Sequence, residues 1–273
     1  MIAYTGPVTA RALASRAWKS TFAAIGAMPL LFVLFLALQI VVATAIVLVP
    51  GMQSWMVRPK PADITVLLAL KHIASRGLAL ILAGAVTAPL AVAVHRFILL
   101  QQRGVRRAPT INLFFWMMGL QLFFLAAFSF SLLASSVGFV RGLIDLIIFI
   151  GLVIMIYKLA AMFPAIAIEV PARSAEDRID QSFSLMEGRF WLWLKTLLLT
   201  LLPFIVIMLV MMIVGRFRAP HDAAATAKAA AVVIKQPKPA LLAVAVVGAA
   251  IQTLLATLLS SMTSWLYAAL KSR

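Results

Sequence analysis

The chain has 273 residues, of which 64% are hydrophobic and only 12% charged, and its 24 Lys and Arg against 8 Asp and Glu give a net charge of +16. Soluble domains carry about 25% charged residues and bury short apolar runs, whereas several runs here are continuous and long enough to cross a bilayer, which excludes a soluble fold. The runs do not alternate with period two, which excludes a β-barrel and leaves an all-α polytopic membrane protein.

The sequence reads as one membrane domain over 1–273. Residues 8–27 are too basic to span. Arg11, Ser15 and Lys19 fall on one helical face and Trp18, Phe22 and Ile25 on another, the pattern of an amphipathic helix lying in the headgroup layer. A cleaved signal peptide has a shorter apolar core than the run that follows, so this segment is expected to be retained. The first span is 28–50, roughly 34 Å long as a helix, and Pro50-Gly51 ends it. A loop with Trp55, Arg58 and Lys60 follows. From Ile64 to Gln101 there is no strong stop, and the segment would make roughly 57 Å of helix, too much for one crossing. Lys71, His72 and Arg76 place its first part at the interface or beyond, which leaves 77–97 as the second span with Pro89 as a kink.

His95, Arg96, Arg103, Arg106 and Arg107 crowd the next connection. The third span is 110–135, a turn follows at 138–141, and the fourth span is 143–163. A long polar segment leads to the fifth span, 191–215, which carries Pro203. Residues 216–239 form an Ala-, Lys- and Pro-rich linker, and 240–270 is the sixth span. Six spans put both termini on one face. Placing them in the cytoplasm gives that face the larger share of Lys and Arg, above all in the early, short connections that set orientation.

The polar segment between the fourth and fifth spans holds five of the eight acids: Glu169, Glu176, Asp177, Asp180 and Glu187. Ser174 with Asp177 three residues later reads as a helix N-cap. Glu176, Asp177 and Asp180 suit the positive end of a helix dipole. Ile179, Phe183 and Met186 make an apolar stripe, and Gly188 is a stop. Residues 174–187 are therefore predicted to form a cytoplasmic amphipathic helix, joined by a tight elbow to the fifth span at Trp191.

Phe163-Pro164 through Glu169 closing one span, followed by Ser182, Leu185, Gly188, Arg189 and Trp191, resembles a family of bacterial six-helix integral membrane proteins. Most members have no known function, and the family includes the membrane domain fused to some glycerophosphoryl diester phosphodiesterases. The interfacial helix before the first span and the six-span layout are similar too. The resemblance implies a bacterial inner-membrane location and no catalytic residues in the membrane part. The spans account for the sequence, which leaves no room in it for the fused enzyme's soluble catalytic barrel.

Charged groups at membrane depth are candidates for function. Asp145 is the only acid between Asp63 and Glu169, and Arg141 lies four residues before it, on the same helix face. The plainer reading leaves both solvated at the outer end of the fourth span. Lys158 is close enough to the inner end to snorkel to headgroups, and Glu169 stands where that span closes. Gln39, Gln121 and Gln252 are single polar groups of the kind that bridge helices. His72, His95 and His221 lack ligand spacing, and the absence of cysteine removes thiolate chemistry. No HExxH, GxSxG, P-loop or dinucleotide-binding glycine pattern occurs. The reading is a protein without enzyme activity, cofactor or metal.

In a soluble protein the net charge would suggest nucleic acid. Here the basic residues flank apolar runs, so the expected partner is a bilayer with anionic headgroups, with a membrane or soluble protein partner besides, and no nucleic acid. The sequence predicts a structural or accessory component of the bacterial envelope. One alternative is a transporter or lipid-handling protein with a pathway near Asp145 and hinges at Pro89, Pro164 and Pro203. Another is the membrane subunit of a separate soluble enzyme.

Overall fold

A computed structural model describes Tyr4, Gly6 and residues 8–48, 66–134, 138–171, 174–218 and 238–272. The predicted loop with Trp55, Arg58 and Lys60, the linker from 219 to 237, and the side chains of Lys71, His72, Arg76 and Arg141 lie outside the described residues. The described chain is all-α. Its helices are α1 (Ala10–Ala27), α2 (Pro29–Leu48), α3 (Val66–Leu100), α4 (Arg107–Ala134), α5 (Gly138–Leu159), α6 (Met162–Ala167), α7 (Ala175–Met186), α8 (Phe190–Arg218) and α9 (Lys238–Lys271). Five of them contain apolar stretches long enough to cross a membrane: Gly77–Leu100, Arg107–Ala127, Gly142–Leu159, Phe190–Val210 and Ala245–Lys271. The α1–α2 pair, bent by 96°, passes the same test only when its two helices are taken together as one broken span or re-entrant loop. The protein is a polytopic helical membrane protein.

The bend has a local cause. Thr9 caps α1, its Oγ1 accepting from Ala12 N at 3.3 Å, and Met28 N closes the helix on Ala24 O at 3.0 Å. Pro29 has no N–H to continue the ladder and its ring would collide with the carbonyl four residues back, yet it is well placed as the first residue of a new helix. So α1 lies across the bundle while α2 runs along it. Trp18, expected among headgroups, is packed inward: its Nε1 donates to Thr200 O at 3.1 Å and its ring stacks on Phe204 at 6.1 Å.

The same physics breaks the fourth span. The sequence reading carries it to 163, but α5 stops at Leu159, a turn takes Ala160 and Ala161, and α6 begins at Met162. In an unbroken helix Pro164 would leave the Ala160 carbonyl without a donor. The break puts Pro164 in the first turn of α6, where no N–H is required. The segment around the predicted second span is one unbroken helix, α3, from Val66 to Leu100, and Gly77–Leu100 is the apolar stretch among its described residues. Of the predicted linker, α8 takes 216–218 and α9 takes 238–239.

Helices α3 and α9 form the centre. Half of the α3 span and 44% of the α9 span are buried, against 17% for α4 and α8 and 11% for α5. The inner face of α9 is small: Ala249, Thr253, Thr257, Ser261 and Ser264 are all buried, and α1, α2 and α3 pack against this helix. Small side chains let backbones approach where apolar burial offers no drive between helices. Thr253, Thr257 and Ser264 donate to the carbonyls four residues back at 2.8 Å each, so they bring no unpaired donor into the core. Gly84 does the same for the α3–α4 contact, because a Cβ there would stand 2.2 Å from Met118 Cε. The outer faces of α5 and α8 are apolar and exposed, Ile147 at 61% and Met208 at 71% among them, as lipid-facing helices must be.

Candidate functional site

Polar chemistry gathers at one end of the bundle, where α3, α5 and α9 finish and α4 and α8 start. Helix α6 closes with a Schellman turn: Val170 N donates to Ala165 O and Glu169 N to Ile166 O, both at 3.0 Å. The left-handed position of that turn normally belongs to glycine. Here it is Glu169, with φ of 58°. A side chain at this φ costs roughly 1–2 kcal/mol of local strain, and it aims the carboxylate back at the ends of α3 and α4. Glu169 Oε2 accepts from Arg96 Nη1 at 3.2 Å and from Arg106 Nη1 at 3.0 Å.

The two arginines are not equivalent. The Arg96 side chain is 5% exposed and that of Arg106 is 61% exposed. A buried guanidinium needs both a counter-charge and acceptors for its remaining donors. Arg96 has them: Nη1 also donates to Ala167 O at 3.2 Å, and Nη2 donates to Gln102 Oε1. Gln101, also left-handed at φ 57°, turns the chain after α3 and delivers Gln102 to that contact. Beside it His95 is buried, its Nδ1 2.7 Å from Ser264 Oγ. Ser264 Oγ also lies 2.8 Å from Ser260 O, so its single hydrogen serves one of the two contacts and the His95 tautomer decides which.

Helix α7 is fixed to the same end. Ser174 Oγ accepts from Asp177 N at 3.1 Å, the predicted cap, and Met186 is fully buried. Tyr157 OH donates to Met186 O and accepts from Arg189 N at 3.2 Å, holding the elbow, while its ring meets Phe190 edge-on at 5.3 Å. Ser182 Oγ donates at 2.6 Å to Lys158 O, a carbonyl next to the broken end of α5. Lys158 Nζ lies 5.7 Å from the Tyr157 ring and 5.4 Å from the Phe183 ring. The lysine expected to snorkel to headgroups thus sits on two aromatic faces. Gly188 supplies another left-handed turn, φ 65°, with nothing within 4 Å of where a Cβ would be.

The sequence motif therefore resolves into contacts. Pro164 forces the α5–α6 break and is buried, Glu169 takes two arginines, Ser182 ties α7 to α5, and Leu185 packs against the core. Gly188 turns the chain and Arg189 donates its backbone N–H to Tyr157. Trp191 faces outward at 67% exposure. Asp145 is not part of this assembly. It is half-buried on α5, about 18 Å along the helix from Tyr157, next to exposed Leu146 and Ile147. The candidates Asp145, Lys158 and Glu169 are not brought together. Sequence reading missed Arg96 and Tyr157 as partners. The position of Arg96, inside an apolar run and before the Gln101-Gln102 turn, was the available signal. Comparison of the chain with protein-family models, with curated proteins and with solved structures returns no match.

Proposed function

We propose that this chain is a non-enzymatic structural or accessory component of a bacterial inner membrane, with its termini and the α6–α7 platform in the cytoplasm. The carrying observation is the Glu169 clamp. It accepts backbone strain to hold α6, and α7 after it, against the ends of α3 and α4. A platform held this way presents an acidic edge of Glu176, Asp180 and Glu187, all exposed. Such an edge suits a protein partner with a basic surface, whether another envelope protein or a separate soluble enzyme. The acids within the platform have structural duties: Glu169 holds the arginines, and Asp177 Oδ1 accepts from Gln181 at 3.1 Å. The resemblance to the six-helix bacterial family supports the same reading.

A photo-crosslinking residue at Asp180 in living cells is expected to yield a discrete protein adduct that the same residue at Ile147 does not. If positions 176, 180 and 187 all react with lipid alone, the accessory reading is wrong. One observation favours transport or lipid handling as a second reading. Gln39 is buried mid-span, and among the described residues its Nε2 has no hydrogen-bond partner. That reading expects Gln39→Leu to abolish a measurable flux in proteoliposomes, and a protein without flux, or one whose flux survives the change, rejects it.

A further inference from the structure

Two clefts open at the platform end, and their charges differ. The larger, about 550 Å³, is lined by Glu169 and Asp177 along with Arg178 and Asn112. An anion entering it meets two carboxylates. The smaller, about 190 Å³, lies between α6, α7 and the end of α9. Arg178 and Lys271 line it, and among the described residues no acid does. Among the described residues neither cation is in an ion pair.

The donors of the smaller cleft can be counted. Lys271 Nζ donates once to Tyr267 OH at 3.3 Å, which leaves its other hydrogens and the phenol hydrogen unassigned. Arg178 brings a planar fork suited to paired oxygens. Gln181 uses one amide hydrogen on Asp177 and retains a second. The hydroxyls of Ser182 and Ser184 are committed to Lys158 O and Gln181 O, so they shape the cleft without donating into it. Met162 and Leu185 give it apolar walls. The volume is several times the roughly 30 Å³ that a water occupies in the liquid, enough for a phosphate and its ester link.

We propose that this cleft binds a phosphate oxyanion, with Arg178 as the fork and Lys271 as the point charge. Two sources carry that group. The cleft lies at the ends of the α5 and α9 spans, at the depth of bilayer headgroups, where an anionic phospholipid presents it. A soluble phosphate ester presents the same oxygens. The inference goes beyond the accessory reading and does not depend on a protein partner.

The test uses the full chain purified in neutral detergent. Native mass spectrometry follows dioleoylphosphatidylglycerol against dioleoylphosphatidylcholine, and calorimetry follows inorganic phosphate. One saturable site is expected that prefers the anionic ligand. Arg178→Gln with Lys271→Gln should weaken it about tenfold or more, as loss of charge-assisted bonds requires. Ser184→Trp keeps both charges but fills the mouth, and should weaken it as much, so it decides the matter if the charge variant fails to fold. Arg103→Gln removes an exposed arginine outside the cleft and should leave affinity within about twofold. Inorganic phosphate that binds and displaces the lipid identifies a soluble ester as the source, and binding of the lipid alone identifies a headgroup. The proposal is overturned if the wild type does not prefer the anionic ligand, if the cleft variants bind like the wild type, or if Arg103→Gln matches them.

Discussion

Two left-handed turns bracket the polar segment, one at Glu169 and one at Gly188, and they are built in opposite ways. Gly188 sits in open space at φ 65°, where a glycine meets no steric penalty and its turn does nothing but redirect the chain. Glu169 sits at nearly the same φ with a charged side chain that the backbone tolerates poorly. The extra strain is offset by what the side chain reaches: the buried guanidinium of Arg96 and the exposed one of Arg106. Where the chain accepts an unfavourable residue at a turn, the side chain is carrying the contact that matters.

Substitutions at the two turns break or sharpen this contrast, and their effects are ranked. Glu169→Ala should cost the most, about 2–3 kcal/mol in a reversible unfolding measurement. That lies between the values for surface and fully buried pairs because Arg96 is buried while Glu169 is 41% exposed. Tyr157→Phe comes next at about 1–1.5 kcal/mol, since it removes the hydroxyl that donates to the buried Met186 carbonyl, which keeps only the Arg189 N–H at 3.1 Å. Glu169→Gly should be milder than Glu169→Ala by about 1 kcal/mol, because glycine relieves the turn although the clamp is lost. If the two variants unfold alike, Glu169 is not strained in the way its φ implies. Gly188→Ala should cost about 1 kcal/mol from φ alone, as there is no clash to add. Arg106→Gln should move stability by less than about 1 kcal/mol, as expected of an exposed partner.

Most of the architecture was legible because it rests on local rules. Run length marks the spans, and the cap at Ser174 with the stripe of Ile179, Phe183 and Met186 marks α7. What stayed hidden depends on residues far apart in sequence. Arg96 reads as one of several loop arginines until α6 folds back and places Glu169 over it. Tyr157 reads as part of an apolar run until the elbow at Gly188 returns Met186 and Arg189 to its hydroxyl. Pro164 was visible as a possible hinge, but the α5–α6 break it causes falls four residues earlier, at Ala160. Asp145 stands out by its isolation in sequence, and on α5 it is half-buried, about 18 Å along the helix from Tyr157.

Glu169 fastens the α6–α7 platform to the ends of α3 and α4. Hydrogen exchange in lipid nanodiscs, comparing the wild type with Glu169→Ala, tests that most directly. Amides over 162–186 should exchange about tenfold faster or more in the variant, while those in the middle of α9 keep their protection. Unchanged exchange across 162–186 would mean that α7 is held without the clamp, and the central claim would fail.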